Sequence, residues 1–206
     1  MSRGDWFRRT DWNPGIEADF ERHLRRARDK VQPLKIQAAV LVETRPDVAV
    51  LLLERYFESD DALFLADAFR TQAKARLALG DIAGAVDSYS KALSREAEFP
   101  HLKTNSFVEY PLLIAEHGLT DHYADALRVL AVRRVDVAFP VQRFMWHAAR
   151  ALILSAQREP TQAAGEARIA LAAADESSSG FRDHESLGRV GKQYRELRDR
   201  LRGLVA

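Results

Sequence analysis

The chain has 206 residues, 47% of them apolar, and a formal net charge of +1 with 30% of residues charged. That is enough chain for one large core or a short repeat array, and the near-neutral balance argues against a general nucleic-acid binder. With no cysteine, disulfides, thiolate nucleophiles and cysteine metal sites are excluded.

The opening MSRGDWFRRTDW has no apolar signal-peptide core, and no stretch approaches the ~18 uninterrupted apolar residues of a membrane span. The expected location is cytoplasmic, with neither membrane nor nucleic acid as partner. Only six of the 31 basic residues are lysine. Together with the abundant alanine, this suggests a GC-rich bacterial genome, which bears on origin and not on function.

Residues 1–12 are polar apart from Trp6, Phe7 and Trp12, and predict a short arm on the first helix. Asn13-Pro14 marks a helix start, with asparagine as cap and proline at the first helical position. Ile16, Phe20, Leu24 and Ala27 make its apolar stripe, and Arg22, Arg25, Arg26 and Arg28 its solvated face. Pro33 is expected to open a second helix, ended by Arg45-Pro46-Asp47. A third, VAVLLLERYF, turns Ala49, Leu52, Leu53 and Tyr56 inward. Glu58 to Asp61 reads as a capping loop.

From Ala66 to Ala97 the pattern is clearest. Ala66, Phe69, Ala73, Ala75 and Leu77 recur at helical spacing. Gly80 stops that helix by taking the left-handed conformation, and Asp81 caps the next. Ala85, Tyr89 and Ala92 follow at i, i+4 and i+7, with small residues where two antiparallel helices approach. This unit resembles the tetratricopeptide repeat, a 34-residue helix–turn–helix. With Ala66 as first position, Phe69, Ala73, Gly80-Asp81, Ala85, Tyr89 and Ala92 fall on its pattern, while Arg76 and Ala97 depart from it. The alternative is an ordinary helical hairpin in a bundle.

A helix over Ser106–Glu116 carries Phe107, Tyr110, Leu113 and Ile114, with Pro111 either kinking it or lying in its first turn. Gly118 ends it. Asp121 is expected to cap the partner, which carries Tyr123, Ala126, Leu127 and Leu130. QRFMWHAARALILSA forms the next helix, and Pro160 starts its partner with Ala163, Ala167 and Ala170 on one face. The second-helix alanines 49, 85, 126 and 163 are 36, 41 and 37 residues apart, a near-period expected of an array. Residues 175–184 read as a loop. A terminal helix over about 186–203, with Leu187, Tyr194, Leu197 and Leu201 on one side, fits the polar-faced end helix such arrays need.

The expected fold is therefore all-α. The resemblance implies a right-handed α-α superhelix, a tetratricopeptide-like solenoid of antiparallel helix pairs with a C-terminal capping helix. The whole chain reads as one such domain. An N-terminal arm and helix (1–30) precede a degenerate repeat (31–60), the best-matching repeat (61–98), two divergent repeats (104–136, 140–174) and the cap (185–203).

No GxGxxG, GxxxxGK[ST], HExxH or GxSxG motif occurs, and the six histidines are scattered. No catalytic residue, metal or cofactor is assigned. The most suggestive constellation is Arg143, His147 and Arg150 at i, i+4 and i+7, with Trp146 and Phe144 beside them. Arginine gives bidentate contacts to a carboxylate or phosphate, and histidine adds a donor. Arg143, Trp146, His147 and Arg150 are the candidate ligand- or peptide-binding residues. The competing reading pairs the three cations with acids of a neighbouring helix and puts Trp146 in the core. The same choice, groove or core, applies to Phe107, Tyr110 and Tyr123. The resemblance implies a non-enzymatic interaction module that holds a peptide or partner protein on a concave helical surface. The alternatives are a binder of, or enzyme acting on, a small anionic ligand at the Arg/His stripe, and a homodimer built on the Tyr194/Leu197/Leu201 stripe.

Overall fold

A computed structural model describes residues 5–59, 63–177 and 187–205. Among them the chain is all-α, with ten α-helices packed as sequential antiparallel neighbours and no strand. The helices are α1 Pro14–Arg26, α2 Val31–Leu41, α3 Pro46–Phe57, α4 Leu65–Ala78, α5 Ile82–Glu98, α6 Ser106–Glu116, α7 Tyr123–Val132, α8 Pro140–Ala156, α9 Pro160–Ala174 and α10 Arg195–Val205. They divide between two compact units, Met1–Thr104 and Asn105–Ala206.

In the first unit, a 3₁₀ turn at Asp5–Phe7 forms the arm. Trp6 lies 5.3 Å from the Phe20 ring and stacks on His23, while Trp12 meets Phe20 edge-on. Gln37, fully buried on α2, accepts the Arg9 N–H and donates to the Arg9 carbonyl, which ties the arm down. Asn13 caps α1 through the N–H groups of Gly15 and Ile16, as expected. The second helix starts at Val31 and not at Pro33. Asp29 accepts the N–H groups of Val31 and Gln32 ahead of the proline, which therefore lies inside the first turn. Ala49, Leu52, Leu53 and Tyr56 of α3 are buried. Phe64 stands at the position before α4 without a side-chain hydrogen bond of its own, and in the expected capping loop the Ser59 hydroxyl turns back to the Tyr56 carbonyl. Asp60 and Asp61 lie outside the described residues.

The α4–α5 hairpin forms where the pattern was clearest. Gly80 has φ +78°, and the Asp81 carboxylate accepts the Gly84 N–H. Arg76, which departs from the repeat pattern, donates to the Gly84 carbonyl across the turn. Phe69 is half-buried and stacks on Phe57 at 4.5 Å, so it joins α4 to α3 rather than filling the hairpin. Inside the hairpin are Ala73, Ala85, Tyr89 and Ala92, with a buried hydrogen bond from Ser88 to Gln72.

In the second unit, α6 packs on α7 and α8, α8 on α9, and α10 on α9 and α8. Pro111 lies in the interior of α6, past its first turn. Asp121 caps nothing. Thr120–His122 is a 3₁₀ turn and His122 takes the position before α7. Phe107, Tyr110 and Tyr123 are core residues and line no groove. Gln142 of α8 accepts the N–H groups of Ala138 and Phe139 and donates to Asn105, which joins the starts of α8 and α6. The terminal helix begins at Arg195, later than expected. Leu187 precedes it and is 51% exposed, whereas Leu197 and Leu201 are buried. The Gly188 carbonyl accepts the Val141 N–H and Gly188 packs on Phe139, holding the chain at the start of α8. Of the loop expected over 175–184, residues 178–184 lie outside the described residues.

Two features recur along the chain. The alanines at 49, 85, 126 and 163 are each buried to 1% exposure or less, one in each second helix. The first helices α4, α6 and α8 end in one hydrogen-bond pattern. Asp81, Leu119 and Glu159 donate to Arg76, Ile114 and Leu154, while Gly80, Gly118 and Arg158 donate to Leu77, Ala115 and Ser155. These are paired 6→1 and 5→2 bonds about a left-handed residue. At the third turn that residue is an arginine, Arg158, at φ +64°.

Candidate functional site

Helix α8 turns Phe144, Met145, Trp146, Ala148 and Ala149 inward, and this places Arg143, His147 and Arg150 along one half-buried edge facing α9. Each cation meets an acid there. Glu166 of α9 binds His147 Nδ1 through Oε2 at 2.6 Å and Arg150 Nε through Oε1 at 2.7 Å. Arg143 pairs with Glu176, just past the end of α9. The Arg150 guanidinium lies 4.8 Å over the Trp146 ring. Trp146 itself is buried, its indole N–H donating to the Leu130 carbonyl at 3.0 Å.

Burial pushes the Glu166 carboxyl upward, but the hydrogen bonds from His147 and Arg150, with their charges, more than offset this. The carboxyl is held below the usual glutamate range. An ionised carboxylate only accepts, so His147 donates through Nδ1. Two arginines face two glutamates, and the cluster has no surplus charge when the imidazole is neutral.

All four sequence-predicted residues are therefore brought together on one helix. His147 and Arg150 pair with Glu166 inside the α8–α9 hairpin, Arg143 pairs with Glu176 beyond it while its Nε finds no acceptor among the described residues, and Trp146 is core. Glu166 and Glu176 were missing from the sequence reading. One signal was present: Arg150 and Glu166 each stand eight residues from Arg158, so an antiparallel hairpin folded about that turn brings them level.

A second charged locus lies on α10. Its apolar side is used, since Leu197 and Leu201 are buried and the Tyr194 hydroxyl reaches Met145 Sδ at 3.3 Å. Along the other side, Arg195, Arg198, Asp199 and Arg202, with Gly191 and Lys192 at and before the 3₁₀ turn that precedes the helix, are the described residues that border a cleft of about 550 Å³. Arg198 reaches Asp175 at 2.6 Å, and Arg202 reaches Asp199 at 2.6 Å. Lys192 and Arg195 meet no acid among the described residues.

No group of three or more His, Asp or Glu among the described residues is placed to hold a metal ion. His117 and His122 stand on either side of the Gly118 turn, and His184 lies outside the described residues. No helix among the described residues is long and apolar enough to cross a membrane. The chain matches no family model, no curated protein and no solved structure.

Proposed function

We propose that the chain is a tetratricopeptide-like helical repeat module that holds a segment of a partner protein, as an adaptor or regulator and not as an enzyme. The observation that carries this reading is the recurrence within the two units. Three first helices close with one turn geometry, and four second helices bury an alanine at corresponding places. A unit that cannot bury its apolar face alone stacks on its neighbours, and such stacks present extended surfaces suited to polypeptides. The right-handed superhelix and the cap formed by α10 belong to the same proposal.

The test is capture on the immobilised chain from lysate of the source cells, followed by calorimetric titration of each purified candidate. A saturable one-to-one complex with one protein is the expected outcome. Failure of every candidate to titrate would reject the reading. The second reading, a small anionic ligand bound or turned over at the Arg/His stripe, is favoured by one observation, that a carboxylate faces His147. It is weakened by another, that Glu166 already engages His147 and Arg150, so an incoming anion would have to displace it.

A further inference from the structure

Residues 9–12 of the arm have no regular secondary structure, and among the described residues none of their main-chain groups bonds to another main-chain group. Side chains on α2 and just past its end meet them instead. The Gln37 amide takes both groups of Arg9, Oε1 accepting the N–H at 3.0 Å and Nε2 donating to the carbonyl at 2.7 Å. The Thr44 hydroxyl donates to the Thr10 carbonyl at 2.9 Å, and Arg45 Nη1 to the Trp12 carbonyl at 3.3 Å. None of these bonds uses a side chain of the arm. Gln37 has no exposed surface, and it presents a donor and an acceptor to the main chain lying across it. Two rings of the arm complete the contact. Trp6 and Trp12 both lie against the buried ring of Phe20 on α1, at 5.3 and 5.4 Å, and Trp6 also stacks on His23. Both rings remain half-buried at the edge of the core.

We infer that the surface under the arm, built by Phe20 and His23 of α1 with Gln37, Thr44 and Arg45, is a polypeptide-binding seat that residues 6–12 occupy as an internal ligand. Contacts to main-chain groups accept any sequence, and places for side chains select among sequences. The outside occupant is therefore a partner-protein segment that carries two aromatic side chains spaced as Trp6 and Trp12 are. It has a residue other than proline over Gln37, because proline has no N–H to give. This rests on the reading of the chain as a holder of partner segments and names the place where such a segment lies. A short tether keeps its ligand at an effective concentration of about a millimolar. The arm thus shuts out weak competitors, and a partner segment enters by displacing it.

Fluorescence anisotropy tests this on the full chain with a labelled peptide of residues 5–13, DWFRRTDWN. In the chain, Arg9→Pro removes the N–H that Gln37 accepts, and the Arg9 side chain pairs only with Asp11 among the described residues. That variant should free the seat and bind the peptide at least tenfold more tightly than wild type. Arg9→Ala keeps the N–H and should bind as wild type does. The same proline placed in the peptide should abolish binding to every chain. Gln37→Leu added to Arg9→Pro should weaken the peptide at least tenfold with circular dichroism unchanged. No saturable binding to the Arg9→Pro chain would make the arm a fixed cover and overturn the inference. Equal affinity of wild type and Arg9→Pro, or binding untouched by Gln37→Leu, would do the same. Should Gln37→Leu unfold the chain, the peptides decide, and a prolyl peptide that binds as tightly as the native one overturns the seat. The two readings fail separately. A protein that titrates onto the chain without displacing the peptide keeps the adaptor reading and refutes the seat. Peptide exchange with no protein titrating supports the seat and rejects the adaptor.

Discussion

Gly80 and Arg158 do the same backbone work with different side chains. Both take a positive φ at the end of a first helix, and a Cβ at Gly80 would meet nothing within 4 Å. The cost of a side chain there is therefore conformational and not steric, about 1 kcal/mol for the left-handed region. Gly80→Ala should lower stability by about that amount, and Arg158→Gly should raise it by somewhat less, because glycine also gains freedom in the unfolded chain. Urea denaturation of the two variants should show shifts of opposite sign. Two shifts of the same sign would contradict the shared turn geometry.

Glu166 makes a second prediction at this scale. Its folded pKa lies below the ordinary value, so its stabilising contribution is present above pH ~4.5 and is lost as pH falls through the lower folded value. Glu166→Gln should cost about 1–2 kcal/mol at pH 7, since it weakens two hydrogen bonds to charged or polar partners in a half-buried site. The difference from wild type should shrink as pH falls below ~4.5 and on through the lower folded value. A pH-independent difference in denaturation midpoint would assign the loss to packing and not to the charge.

Among the elements, the helix pairs are set by small residues. Ala85 and Ala92 of α5 and Ala73 of α4 have no exposed surface, which permits the close approach of the two helices. Ala85→Leu adds three carbons where the hairpin has no room and should destabilise by about 1–3 kcal/mol. Ala83→Leu, one turn edge away on the exposed face of the same helix, should be near neutral. Thermal melts of the pair separate overpacking from helix propensity. Equal melting temperatures would mean that α5 does not press on α4 at residue 85. Pro111 shows the opposite case, an element that tolerates a poor local choice. Proline in a helix interior removes one backbone donor and costs about 3 kcal/mol in isolation, yet α6 runs through it. Residues 106–108 and 110–115 are all buried, and tertiary burial outweighs local propensity.

For the whole molecule, the second unit relies on α10. Leu197 and Leu201 are buried against the α8–α9 hairpin, and Tyr194 packs 5.2 Å from the Phe144 ring. Each leucine contributes roughly 1.5–3 kcal/mol of burial, a large part of the 5–15 kcal/mol that holds a typical domain together. A chain ending at Val190 should therefore bind a hydrophobic dye, self-associate on gel filtration and melt with reduced cooperativity. A truncated chain that stays monomeric with an unchanged melt would show that α10 is an appendage and not a cover.

What the sequence by itself determined is local. Helix starts at Asn13 and Pro160, stops at Gly80 and Gly118, and the buried alanines of the second helices were legible because caps, left-handed glycines and 3.6-residue periodicity act within a few residues, whereas α3 and α8 each start two residues earlier than the sequence reading, at Pro46 and Pro140. The four-residue stripe on α8 was legible for the same reason. Its partners were not, because which acid meets Arg143 or Arg150 depends on the rotation and register of α9, set by packing along the whole hairpin. Arg158 was missed as a turn residue, since nothing in an arginine announces a positive φ and only hydrogen bonds formed beyond the helix end impose it. The late start of α10 was likewise decided by tertiary structure. A leucine–arginine pattern marks an amphipathic helix, but only docking its leucines onto α9 leaves Lys192, Arg195, Arg198 and Arg202 facing one cleft.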